Sequence, residues 1–187
     1  MKKIIINLST LMATCFAINF SYADNHGESN EGSFVIPEAE VEATLLQGLA
    51  NLAEGRTVSD IVVRHVDVGE EYMGVSVVQR SKVEITETET GIAHVDLDEI
   101  YYIVSGEGTM VTGGEFVDPT ETNSNLLGPM LRGEIKDGVL QRVKVGDIAI
   151  IPKGMPHGWH EIDTDTISYI IFRGDPNEVM QIKNKSE

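Results

Sequence analysis

Residues Gly146–His157, GDIAIIPKGMPH, decide how the rest of the chain is read. Gly146-Asp147 is a turn signal, and Asp147–Ile151 is a short apolar run of strand character. Pro152 and Gly154 break that run, and the tight turn they make presents His157. Working outward, a second pattern lies upstream at His94–Gly106, HVDLDEIYYIVSG, where Glu99 stands five residues after His94 and seven before Gly106. It too reads as a strand with a turn on either side.

Similar runs occupy most of the chain between them and around them. Ile61–Val68, Tyr72–Arg80, Ile100–Val104, Gly108–Thr112, Val139–Val145, Asp147–Ile151 and Ile167–Arg173 are rich in Val, Ile and Tyr. Gly69, Gly91, Gly106, Gly113-Gly114 and Asp137-Gly138 punctuate them. Many short strands at close spacing predict an all-β sandwich or barrel rather than βαβ units. One helical pattern precedes the strands: Pro37 opens a segment with Val41, Leu45, Leu49 and Leu52 on one face, and Gly55 stops it. This short N-terminal helix is expected to pack outside the β domain. Glu115–Lys136 carries Pro119, Asn123, Asn125, Pro129 and Gly133, and is expected to be a long loop.

The N-terminus reads as a targeting segment. Lys2 and Lys3 precede a mostly apolar stretch from Ile4 to Phe20, and Ser21-Tyr22-Ala23 has the small residues of a cleavage site. The expected organisation is a signal peptide over 1–23, a flexible leader over 24–36, the helix over 37–57, the β domain over 58–175 and a tail over 176–187. Location is then periplasmic or secreted, with no membrane insertion after cleavage, because the apolar stretch is interrupted by Asn7, Ser9, Thr10, Thr14 and Asn19. The single cysteine, Cys15, leaves with the signal, so disulfides and thiolate chemistry are excluded from the mature chain.

The 187 residues suit one ordinary domain, and 41% hydrophobic content is too high for a disordered chain. Thirty acidic residues against 14 basic ones give a formal charge of −16, which argues against binding to nucleic acid or anionic lipid. The expected partner is a small-molecule substrate or ligand. Sheet edges and an exposed apolar face would also favour a homodimer.

The stretch 146–157 matches G-x5-P-x-G-x2-H and resembles the second motif of the cupin superfamily. Glu99 to Gly106 resembles the closing half of the first cupin motif, and His94 precedes Glu99 as in H-x4-E. Smaller echoes at 77–80 (VVQR), 111–114 (VTGG), 128–133 (GPMLRG) and 172–176 (FRGDP) are similar to a group of small single-domain bacterial cupins. The resemblance implies a cupin-type jelly-roll β-barrel. It also implies a divalent metal ion in the barrel (iron, manganese, nickel, zinc or copper), with His94, Glu99 and His157 as ligands. Two imidazoles and one carboxylate would leave about half the positions of an octahedral ion open.

A typical cupin has H-x-H before the glutamate. If His94 is the second member of that pair, Ile92 replaces the first, and no deletion is needed. If His94 is the first, Asp96 replaces the second, and the spacing to Glu99 is one residue shorter than usual; the first alignment is favoured and makes Asp96 a reserve ligand. Asp96, Tyr101 and His160 are the candidates for moving protons. Simple alternation places His160 opposite His157, unless a bulge turns it inward. Ile103 and Tyr101 share the parity of Glu99, Trp159 that of His157, and Ile103, Arg132 and Trp159 are candidates for the substrate pocket. Trp159 serves equally as core packing, and Arg132 pairs with either an anionic substrate or a neighbouring carboxylate. His65 is expected to be structural. The functional expectation is a metal-dependent enzyme of the dioxygenase, lyase or isomerase class. The rival is a non-catalytic cupin that binds a small ligand.

Overall fold

The computed structural model describes residues 33–182. The expected signal segment with Cys15, the leader as far as residue 32 with His26, and residues 183–187 lie outside the described residues. The fold is all-β with one helix. Helix α1 (Glu38–Ala53) is followed by β1 (Val58–Asp67), β2 (Tyr72–Val83), β3 (Thr90–His94), β4 (Asp98–Ser105) and β5 (Glu107–Thr112). Then come β6 (Glu115–Ser124), β7 (Gly128–Lys136), β8 (Val139–Lys144), β9 (Ile148–Ile151) and the 19-residue β10 (His157–Asp175).

All pairing is antiparallel, and β10 is the strand that joins the two layers. Its C-terminal half lies between β2 and β4, giving one layer in the order β1-β2-β10-β4-β9. Its N-terminal half lies between β5 and β3, giving a second layer, β8-β5-β10-β3-β7-β6. The register slips between Ile162 and Thr166, where β10 passes from one layer to the other. Among the described residues the ladder does not close on itself. Val78, Tyr101, Ile103, Met110, Val143, Ile151, Ile162, Ile167, Tyr169 and Ile171 fill the space between the layers.

The segment 115–136 is not a long loop. It folds as the β6–β7 hairpin, whose register slips between Val117 and Thr120. That slip carries Asp118 at φ 45° and Pro119, so the proline sits where no ladder hydrogen bond is demanded of it. The β-rich reading also missed β3 and the first half of β10.

Helix α1 packs on β1 and β2. Leu49 is exposed, and Gly48 replaces it on the buried face. A Cβ on Gly48 would stand 1.6 Å from Oε1 of Gln79, whose amide donates to the Leu45 carbonyl at 2.9 Å. On the same layer, beyond the helix, Ile100, Tyr102, Ile148, Ile150 and Phe172 are 39–70% exposed. They are cross-strand neighbours of β9, β4 and β10, and form one apolar outer face.

Candidate metal centre

The turn at 152–155 and the β3–β4 corner are tied together by two backbone donors. The Gly154 N–H donates to the His94 carbonyl at 2.7 Å, and the Lys153 N–H to Oδ1 of Asp98 at 2.9 Å. Gly154 adopts φ 77°, a conformation that disfavours other residues. The short segment bearing His157 is thus held against the segment bearing His94 and Glu99. From the other side, β10 meets β3 at His157 and Ile92. Glycine is required on both strands there. A Cβ on Gly91 would fall 2.2 Å from the His157 carbonyl oxygen, and one on Gly158 would fall 2.2 Å from that of Thr90.

These contacts bring His94, Glu99 and His157 together. All three are buried, and one potential ligand atom from each lies within 4.8 Å of the others. Nε2 of His94 is 3.4 Å from Oε1 of Glu99, and Nε2 of His157 is 3.6 Å from Oε2. Nδ1 of His157 lies 3.0 Å from the Met155 carbonyl, an acceptor, so Nδ1 carries the proton and Nε2 presents a bare lone pair. That Nε2 is buried and has no hydrogen-bond partner, and the same holds for Nδ1 of His94. A lone pair facing a carboxylate in a dry interior is an unfavourable arrangement unless a cation stands between them. The donor set therefore fits a divalent ion that accepts imidazole and carboxylate.

The residue that sequence reasoning missed is Arg173. Its guanidinium is buried and fully used: Nε donates to Oε1 of Glu99 at 2.8 Å, Nη1 to Oγ of Ser76 at 2.7 Å, and Nη2 to Oδ2 of Asp60 at 2.8 Å. The other oxygen of Glu99 accepts from the Tyr101 hydroxyl at 2.8 Å. Burial alone would raise the pKa of Glu99. The charge of Arg173, with those of His94 and His157 when protonated, outweighs burial and holds it down to about 2. Burial lowers His94 to about 4 and lowers His157 as well, so both imidazoles are neutral at pH 7. The signal for Arg173 was an arginine two residues after Ile171 on the inward face of β10. It was hidden because its partners come from β1, β2 and β4, far away in sequence.

No family model and no curated protein matches the chain. Among solved structures, BH2720 from Bacillus halodurans aligns at 14% identity and a TM-score of 0.42, over 81% of this chain and 87% of that one. Cobalt(II) HppE in complex with Tris buffer aligns at 12% identity and a TM-score of 0.40, over 63% of this chain and 52% of that one. A sugar phosphate isomerase-like protein from Acidithiobacillus ferrooxidans aligns at 15% and 0.36, over 63% of this chain and 58% of that one. The chain thus spans little more than half the length of two of these three structures.

The remaining candidates are placed as follows. Asp96 is in the β3–β4 turn, and its Oδ1 accepts from Asn177 at 2.7 Å, outside the group of three. His160 occupies a bulge between Trp159 and Glu161, and its Nδ1 meets Oε1 of Glu89 rather than the triad. Ile103 is fully enclosed in the core. Arg132 is exposed on β7, opposite Ile92 of β3. Trp159 packs against Tyr169, with ring centroids 5.8 Å apart, and Tyr169 stacks on Tyr101 at 4.8 Å. His65 is buried, and its Nδ1 lies 2.8 Å from the Gln181 carbonyl.

Proposed function

We propose that this chain is an exported metal-dependent enzyme of cupin type that acts on a small organic substrate by dioxygenase, lyase or isomerase chemistry. The observation that carries the reading is the bare, buried Nε2 of His157 facing the Glu99 carboxylate. His94, Glu99 and His157 would hold the ion. Iron, manganese, nickel, zinc and copper all suit the donor set. A divalent ion there supplies a Lewis acid that polarises a substrate oxygen. The protein's own residues do the rest. The Met155 carbonyl fixes the tautomer of His157, and Arg173 and Tyr101 each donate to one oxygen of Glu99. Each oxygen keeps a lone pair for a further contact, and the carboxylate is oriented before anything binds. Tyr101, kept protonated by burial and by the charge of Glu99, holds its proton on the carboxylate.

A second reading is a non-catalytic cupin that binds a small ligand. The ion pair between Arg173 and Glu99 favours it, because it balances the carboxylate without a metal. Metal analysis of untagged protein, followed by zinc titration, separates the two. Stoichiometric uptake supports the enzyme, and an absence of uptake leaves the ligand-binding reading.

Two further parts of the proposal concern the protein's surroundings. Export rests on residues 1–23, and mass spectrometry of the exported form would find Asp24 at its N-terminus. Homodimer formation rests on the apolar outer face. At about 150–250 Å² for a large side chain, its five exposed residues present on the order of 500 Å². Two copies face to face then remove about 1,000 Å², the lower bound for a specific interface. Sedimentation of Ile150→Glu tests this: a dimeric wild type and a monomeric variant support it, and a monomeric wild type refutes it.

A further inference from the structure

The interior continues past the triad. Tyr101 donates to Glu99, Tyr169 stacks on Tyr101, and the Tyr169 hydroxyl accepts from Nε of Arg80 at 3.0 Å. Arg80 follows the core residue Val78 by two positions on β2, so it shares the inward face, and its cross-strand neighbour is the fully buried Ile167. Through Tyr169 and Tyr101 it stands two side chains away from Glu99 of the candidate metal centre.

What sets Arg80 apart is that no described carboxylate touches it, the charge of Asp60 reaching it only through space. The chain holds 30 acidic residues against 14 basic ones, yet no carboxylate among the described residues pairs with Arg80. The other inward arginine, Arg173, uses Nε and both Nη atoms on Glu99, Ser76 and Asp60. Arg80 uses Nε alone, on a neutral hydroxyl. Among the described residues its two Nη atoms have no hydrogen-bond partner, and they are not sealed from solvent. Two parallel N–H donors at the end of a guanidinium match the two oxygens of a carboxylate. The Tyr169 hydroxyl aims that fork, and the partly buried Trp159 packs against the Tyr169 ring with centroids 5.8 Å apart.

We propose that Arg80 is an anion subsite of this interior, and that the small substrate is a carboxylic acid with a flat, unsaturated body. The carboxylate pairs with the two Nη atoms, and the body lies beside Trp159. This deepens the proposed function and rests on its reading of the interior as a small-molecule site.

Trp159 is the only tryptophan in the chain, so its fluorescence reports occupancy. Benzoate and its neutral analogue benzamide are titrated into the full chain, with and without zinc, at 0.15 M ionic strength. Benzoate is expected to change the emission saturably, and benzamide to bind about 10-fold more weakly or not at all. Arg80→Gln is expected to weaken benzoate by about 10-fold or more, and Arg80→Lys, which keeps the charge but loses the fork, by less. Circular dichroism establishes that each variant is folded. If Arg80→Gln does not fold, Arg80→Lys and the benzoate–benzamide contrast in the wild type decide the matter. Equal binding of the two probes, no binding of either, or unchanged benzoate affinity in a folded Arg80 variant would overturn the subsite. Zinc uptake without benzoate binding defeats the subsite alone. Benzoate binding that depends on Arg80 in protein that takes up no zinc upholds the subsite and defeats the metal reading.

Discussion

Nε of Arg173 and Oε1 of Glu99 are 2.8 Å apart, and both residues are at least 98% buried. They are direct cross-strand neighbours on β10 and β4, so the pairing follows from the register and not from chance rotamers. Arg173→Met would leave the buried Glu99 and the part-buried Asp60 charged and without their common partner. The expected loss is about 3–5 kcal/mol of stability, read from urea denaturation. The double variant Arg173→Met/Glu99→Gln should recover part of it, because one of the stranded charges is removed.

Metal uptake should depend on the three gathered residues and on no other histidine. His157→Ala is expected to lower zinc affinity by at least about 100-fold, since even the residues that orient ligands are worth 10–100-fold. Asp96→Ala and His65→Ala should leave it unchanged, because Asp96 is engaged with Asn177 and His65 with the Gln181 carbonyl. Calorimetric titration of the three variants checks this.

Stability should fall in acid, and the sign follows from the histidines. His65, His94 and His157 are all shifted below 6.5 by burial, His94 to about 4. Between pH 6.5 and 4 the unfolded chain therefore binds protons that the folded chain refuses, so stability declines as the pH falls. Glu99, lowered from 4.5 to about 2, adds a further loss from pH 4.5 downward. Thermal melting of the metal-free protein from pH 7.5 to pH 4 should show a falling melting temperature, and a flat profile would contradict the burial of these rings.

Gly158→Ala should weaken both the fold and the site. Its Cβ would meet the Thr90 carbonyl oxygen at 2.2 Å and force β3 and β10 apart beside His157. The expected cost is about 1–3 kcal/mol, with a drop in zinc affinity in the same variant.

Much of this was legible before any coordinates. The residues His94, Glu99 and His157 could be named because the stretches 94–106 and 146–157 resemble the two cupin motifs, and the resemblance implies them as ligands. The strand runs of β1, β2, β4, β5, β8 and β9 were visible as short stretches rich in Val, Ile and Tyr, set off by turn glycines. β6 and β7 were not, since Pro119, Pro129 and Gly133 look like loop signals, whereas Pro119 sits at the register slip of the edge strand β6 and Pro129 at the start of β7. The first half of β10 was hidden by its polar residues, His160, Glu161, Asp163 and Asp165, which face outward or sit at irregularities. Arg173 and Arg80 were missed for a different reason. Charge on an inward strand face reads as an error until the partner, or the want of one, is seen in space.

The placement of β10 has a kinetic consequence. Four earlier strands, β2, β3, β4 and β5, find a neighbour in it, and it is the last strand made. Until residues 157–175 are available, neither layer has its central member, and both His157 and the arginine that balances Glu99 are missing. Folding is thus dominated by contacts between distant parts of the chain, which slows it. Assembly of the candidate metal ligands and completion of the fold become a single late event, so a chain stopped short of β10 lacks the candidate site altogether.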